Sequence, residues 1–241
     1  MQLQLSVAAA RKTFDVDALI VDLDGTMVDT MGDFVQAITY MLQDLQLPQL
    51  GAQDVAHMVG KGTEHLLRSA LARVVTHSDS VPAHVPATVD ALFPQALERY
   101  THHYLAINGQ YSQVYPGVLE GLAALRQAGL RLACVTNKPV AFTLPLLAAK
   151  GLEGLFDVVF GGDSFERKKP DALPLLKACE ALGTTPARTL MLGDSSNDAL
   201  AARAAGCPVL LMTYGYNHGQ PVDSVDADGL MDSMTQLQVV A

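Results

Sequence analysis

Val21-Asp22-Leu23-Asp24-Gly25-Thr26-Met27-Val28-Asp29 continues the apolar run Ala18-Leu19-Ile20-Val21. That run is short and β-branched enough to predict a buried strand rather than a helix. Carboxylates at i and i+2 leave a strand on the same side. Burying each of them unpaired costs more than the roughly 2–7 kcal/mol of a neutral polar group. Their charges repel unless a cation lies between them, and hard, oxygen-only ligands suit Mg²⁺. Gly25 allows a sharp turn that can present N–H groups to an anion, and Thr26 adds a hydroxyl and a further N–H. The stretch therefore predicts a metal and a phosphate held together at a strand end. An ordinary strand with an Asp-Gly turn would account for Asp24-Gly25 but leaves Asp22 and Asp29 without a reason.

Outside this stretch, 241 residues with 49% hydrophobic and 17% charged side chains provide for one large domain or a core with a smaller insert, and argue against disorder. A net charge of −9 without a Lys/Arg cluster argues against a nucleic-acid-binding surface. It does not conflict with a small anionic substrate, because the field at a metal site is set by the ion and one or two lysines. Cys134, Cys179 and Cys207 are an odd number without C-x-x-C spacing, which predicts reduced core residues and a cytoplasmic protein. The N-terminal M-Q-L-Q-L-S-V-A-A-A-R-K carries its positive charges after its apolar segment, so it reads as a short tail rather than an export signal. No apolar run approaches the ~18 residues of a membrane span.

After Asp29 the pattern becomes helical. Phe34, Ile38, Met41, Leu42 and Leu45 recur at helix spacing up to Pro48, and Leu66, Leu67, Ala70, Leu71 and Val74 do so after Gly62. A third helix is expected from about Pro86 to Leu105, with a polar surface loop over Thr76–Pro86. No strand candidate interrupts Met31 to about Gln110. From Tyr115 onward strands and helices alternate: helix after Pro116-Gly117, strand 130–135, helix 139–150, strand 158–160, helix 170–182, strand 189–192, helix 197–205, strand 209–212. This order predicts an α/β fold with a doubly wound parallel sheet, whose ligands bind beyond the carboxyl ends of the strands.

Three further clusters fall at such ends. Thr136-Asn137 stands between a strand and a helix, where a hydroxyl and an amide can hold phosphate oxygens. Lys169, directly before Pro170, can neutralise charge on an attacking carboxylate and a transferring group; Lys168 reads as a solvated surface charge. Gly193-Asp194-Ser195-Ser196-Asn197-Asp198 leaves an apolar strand with two carboxylates on one face of a helix start. Asp198 either supports a metal through water or anchors Lys169. None of the seven histidines has zinc-ligand spacing, and His218, past a strand end, is the one that could line the site.

The Asp22–Thr26 pattern D-x-D-G-T closely resembles the first motif of the haloacid dehalogenase superfamily in its phosphatase form. Thr136, Lys169-Pro170 and Gly193-Asp194 match its later motifs in order. The resemblance covers residues 15–30 and 115–235. It implies a Rossmann-like core over 1–31 and 112–241, with an all-helical cap inserted over 32–111. It implies Asp22 as the nucleophile forming an aspartyl-phosphate, Asp24 as general acid/base, and Lys169 as the catalytic cation. Gly25, Thr26, Thr136 and Asn137 would bind the phosphate. Mg²⁺ would be held by Asp22, the Asp24 backbone carbonyl and Asp194. Asp24 favours phosphoryl transfer over dehalogenation, because a phosphate ester has a leaving oxygen to protonate.

Met58–Glu64, with Lys61 between Gly60 and Gly62, resembles the cap loop of bacterial phosphoglycolate phosphatases. Tyr115-Pro116-Gly117-Val118, Gly161-Gly162-Asp163 and Lys169-Pro170-Asp171 are similar to the same branch; Ala172 departs from it where a second proline often stands. The resemblance implies hydrolysis of 2-phosphoglycolate, with Lys61 reaching the substrate carboxylate. A sugar-phosphate phosphatase or mutase is the alternative, and a non-catalytic regulatory protein on the same fold is a second one. The expected partner is a small phosphate ester, with no nucleic acid and no membrane, in a monomer or small homo-oligomer.

Overall fold

A computed structural model describes residues 3–7, 12–77 and 88–240. Strands β1 (Leu3–Val7) and β2 (Lys12–Val16) precede the expected strand, β3 (Ala18–Val21). The N-terminal stretch is thus a paired strand over part of its length, not simply a tail. β1 pairs antiparallel with β2 on one side and with the last strand of the chain on the other. In β2, Phe14 and Val16 turn inward on the period of two while Thr13 and Asp15 face outward.

A two-residue strand, β4 (Val28–Asp29), leads into helices α1 (Met31–Asp44), α2 (Ala52–Ala56), α3 (Thr63–His77) and α4 (Val89–Ile107), and β5 (Gln113–Val114) follows. β4 and β5 pair with each other, so the helical insert leaves and returns through one short stem. The loop expected over Thr76–Pro86 lies, after its first two residues, outside the described residues. Phe34, Ile38, Met41 and Leu42 of α1 meet Leu67 and Leu71 of α3 and Tyr100 and Tyr104 of α4 in a core of their own. Asp33, fully buried, accepts the N–H groups of Gly109 (2.9 Å) and Tyr111 (2.8 Å) and so pins the returning chain to α1.

The rest alternates as the sequence predicts: α5 (Val118–Gln127), β6 (Arg131–Val135), α6 (Val140–Ala149), β7 (Val158–Phe160), α7 (Leu173–Leu182), β8 (Thr189–Gly193), α8 (Ser196–Ala205) and β9 (Val209–Met212). Helix α7 starts three residues later than its apolar pattern suggests, because the Asp171 carboxylate takes the Leu173 N–H and holds 170–172 in a turn. Two short strands, β10 (Gly229–Met231) and β11 (Leu237–Val240), complete the chain.

Six parallel strands form the main sheet in the order β10-β9-β8-β3-β6-β7. Leu19 and Val21 of β3 face one core with α5 and α6, while Ala18 and Ile20 face the other with α7 and α8. Both faces are covered, which is why the strands read as unbroken apolar runs. Each fully buried Leu or Ile adds about 1.5–3 kcal/mol. β3 lies between β6 and β8, and the crevice beyond such a reversal of strand order is where an α/β sheet binds its ligand. All three cysteines are buried and free. Among the described residues no helix is long and apolar enough to cross a membrane.

Candidate active site

Asp22, Thr136 and Asp194 each stand one residue past the end of a neighbouring strand, β3, β6 and β8. Sequence positions far apart therefore converge at one sheet edge. Asp22 and Asp194 are 8% and 3% exposed, and with Asp198 they form a cluster of carboxylate oxygens within 4.8 Å of one another. Lys169, 3% exposed, places its Nζ 2.9 Å from Asp22 Oδ1 and 2.7 Å from Asp198 Oδ1, and donates to the Val135 carbonyl at 2.8 Å.

Asp198 Oδ1 pairs with Lys169. Its second oxygen, Oδ2, accepts the N–H groups of Asp194 and Ser195 and the Ser195 hydroxyl. Both oxygens thus have partners within the protein. Asp194 remains with Thr26 Oγ1 (3.2 Å) and the Tyr216 N–H (2.7 Å) as donors.

The cluster fits a divalent cation. Three carboxylates face one ammonium, leaving excess negative charge. Burial pushes the Asp22 carboxyl up to about 7 against the pull of Lys169. Burial, then Asp198 and Asp22, push Asp194 well above the carboxylate range. Asp22 Oδ1 is buried and makes no hydrogen bond of good geometry, its ion-pair distance to Lys169 notwithstanding. An all-oxygen donor set of this charge suits Mg²⁺. The strand-end backbone leaves space for the carboxylates: a Cβ on Gly25 would lie 2.2 Å from Asp194 Oδ2, and one on Gly215 would lie 2.1 Å from Asp194 Cβ.

Asp24 lines the same cavity through a different set of partners. Its Oδ1 accepts from Thr30 Oγ1 (2.8 Å) and from Lys138 Nζ (2.9 Å). Lys138 is 5% exposed, and its ammonium lies 4.5 Å from the Phe34 ring centre and 4.7 Å from that of Tyr104. Two aromatic faces and one carboxylate thus hold a buried cation in low-dielectric surroundings. Asp22, Asp24, Thr136, Asn137, Lys138 and Asp194 line one cavity that the insert covers with Phe34, Val59, Gly60 and Gly62. The space open to the centre of a water-sized sphere is about 30 Å³. On that scale one water takes about 10–15 Å³, so only a compact ligand suits this closed form.

Several expected residues do different work. The Gly25 and Thr26 N–H groups close the turn onto the Val28 and Leu23 carbonyls, and the Thr26 hydroxyl goes to Asp194. Both contacts brace the turn against the Asp194 carboxylate. Asn137 lines the cavity, but its amide donates to the carbonyls of Lys169 (2.9 Å) and Gly60 (3.3 Å). Lys61 is exposed and lines a neighbouring groove with Glu64, Arg68, Lys168, Lys169 and Asn197, not the cavity itself. The left-handed φ of Gly60 (101°) and Gly62 (90°) turns the loop so that the Gly60 carbonyl meets the sheet domain. The side chain between them faces out.

Sequence reasoning missed Lys138, although it directly follows Thr136-Asn137. Its signal was a lysine two residues after a phosphate-type hydroxyl, at the same strand end. Asp29 and Tyr216 were also unassigned. Tyr216 Oη donates to Asp29 Oδ1 (2.8 Å) and accepts the Thr30 and Met31 N–H groups, which ties the start of α1 to the sheet.

A model of the haloacid dehalogenase-like hydrolases matches residues 19–212. A phosphoglycolate phosphatase of Thiobacillus denitrificans is 40% identical over 222 residues, covering 92% of this chain and 93% of the relative. A plasmid-borne phosphoglycolate phosphatase of Cupriavidus necator is 44% identical over 220 residues, covering 91% and 90%. A crystal structure from Haemophilus somnus, described as a predicted phosphoglycolate phosphatase, superposes with a TM-score of 0.84 at 32% identity, covering 91% of this chain and 95% of that one.

Proposed function

The chain belongs to the haloacid dehalogenase-like hydrolases, and on that premise we propose that it hydrolyses 2-phosphoglycolate to glycolate and phosphate. An Asp22 oxygen attacks phosphorus in line and the ester oxygen leaves, taking a proton from Asp24. Water then attacks the aspartyl-phosphate, gives its proton back to Asp24 and releases inorganic phosphate. Lys169 and the Thr136 hydroxyl stabilise charge on the transferring oxygens. Asp22, Asp194 and the Asp24 carbonyl would hold Mg²⁺, which would supply neutralisation of charge between the nucleophile and the incoming phosphate. The insert over 32–111 serves as a cap on the core of 1–31 and 112–241.

The observation that carries the substrate is Lys138. Its ammonium is paired with Asp24 yet lines the cavity, so a second anionic group of the substrate can share it. The names of the relatives support the same substrate. Lys138 thus takes the carboxylate contact expected of Lys61. A panel of phosphate esters with Mg²⁺, reading released phosphate, tests this. 2-Phosphoglycolate should be preferred over an uncharged-tail ester of equal size. Lys138→Met should lower that preference by about 10–100-fold, the loss of a charge-assisted contact of about 1.5–3 kcal/mol, and Lys61→Ala should leave it nearly unchanged. A preference for hexose phosphate rejects the assignment.

The metal reading has a test that needs no turnover. A carboxyl whose folded pKa is raised is favoured in its protonated form, so the metal-free fold loses stability as pH rises through about 7, the value to which Asp22 is pushed. Mg²⁺ binds the deprotonated cluster. The rise in Tm on adding Mg²⁺ should therefore be larger at pH 8 than at pH 5.5. Equal increments at both would remove the cluster as the metal site.

A further inference from the structure

Three side chains of the sheet domain converge on two successive carbonyls of the cap loop. The Asn197 amide donates to the Gly60 carbonyl at 3.0 Å, the Asn137 amide joins it at 3.3 Å, and His218 Nδ1 lies 2.8 Å from the Val59 carbonyl. They come from the ends of three different strands: Asn137 after β6, Asn197 at the start of α8 after β8, and His218 after β9. Two of them adjoin the acidic centre. Asn137 also donates to the Lys169 carbonyl, and Asn197 directly precedes Asp198.

His218 is held for this contact at a cost. It and Asn217 adopt left-handed φ values of 53° and 28°, conformations that side-chain-bearing residues rarely take. The Asn217 side chain sustains them by accepting the Ser196 N–H (2.9 Å) and donating to the Gln220 carbonyl (2.9 Å). The turn sets the imidazole against Gly60, where a Cβ would lie 2.7 Å from His218 Cε1. With the Val59 carbonyl as its partner, Nδ1 carries a hydrogen. Nε2 is buried and without a partner, on a ring that lines the cavity.

We propose that His218 and Asn197 are positioning residues that latch the Val59–Gly62 loop onto the assembled phosphoryl centre, so that cap closure and site assembly form one cooperative unit. The loop is held by its backbone, which explains why a glycine pair, and not the lysine between them, meets the sheet domain. The inference requires only that the cap closes over this site, whatever the substrate.

Hydrogen exchange on the full chain reads the latch directly. His218→Phe keeps a ring but removes the donor, and Asn197→Ala removes the amide. Each should speed exchange across residues 58–63 by about tenfold or more, as loss of a closing contact predicts, while β3 and β8 stay protected. His218→Gln restores a donor and should recover most of the protection. KM for the best small ester in the panel should rise by about tenfold in His218→Phe, with a smaller change in kcat, and should fall back in His218→Gln. Unchanged exchange at 58–63 with a protected sheet, or a Gln variant no better than Phe, overturns the latch. These outcomes do not depend on 2-phosphoglycolate being the substrate.

Discussion

Asp22→Asn should abolish turnover while leaving the protein folded. The amide keeps the shape of the carboxylate but is not a nucleophile and is a poor ligand for a hard cation. A loss of about 10⁴-fold or more in kcat is expected, since no neighbouring carboxylate can replace it: Asp24 is held by Thr30 and Lys138, and Asp198 is consumed by Lys169, Ser195 and the Asp194 N–H. The fold should not suffer. Asp22 is buried beside Asp194 and Asp198, and its pKa pushed up to about 7 shows that its charge is uncomfortable without a metal. The metal-free variant should therefore match or exceed the parent in Tm near pH 8. More than about 1% of parental turnover in a folded variant would remove Asp22 from the role of nucleophile.

Lys169→Met should cost both activity and stability. Its ammonium is 3% exposed and pairs with Asp22 and Asp198, the second of which is completely buried. Burial alone would lower the lysine pKa; the two carboxylates overcome it and hold the group firmly protonated. Removing one member of such a cluster leaves buried charge uncompensated, at about 3–5 kcal/mol. That is a large share of the about 5–15 kcal/mol that holds a typical domain. Asp198→Asn in the Lys169→Met background removes the stranded charge and retains an oxygen for the Asp194 and Ser195 N–H groups. Urea denaturation should show much of the stability return in the double variant, and phosphate release should show no return of activity. A single variant as stable as the parent would mean that Asp198 is not the charge Lys169 serves.

The amino-acid sequence determined five of the six strands of the main sheet, the helical insert and the four clusters, because each is written locally. β3, β6, β8 and β9 are apolar runs, α1 and α3 carry helix-period stripes, and Asp22, Thr136, Lys169 and Asp194 follow strands or turns within a few residues. The contacts among those clusters were decided by the tertiary structure. Lys138 reaches Asp24 across 114 positions, and Asn197 reaches Gly60 across 137. No pattern in either neighbourhood encodes the pairing, which depends on how far each loop carries its side chain once the strands lie side by side. The same holds for Thr26, turned onto Asp194, and for Asp198, committed to Lys169. It holds most plainly for Lys61, whose flanking glycines suggested a mobile reach into the site. Their left-handed backbone instead sends the Gly60 carbonyl inward and the lysine out, and a carbonyl's direction is a property of backbone torsions that residue identity alone leaves free.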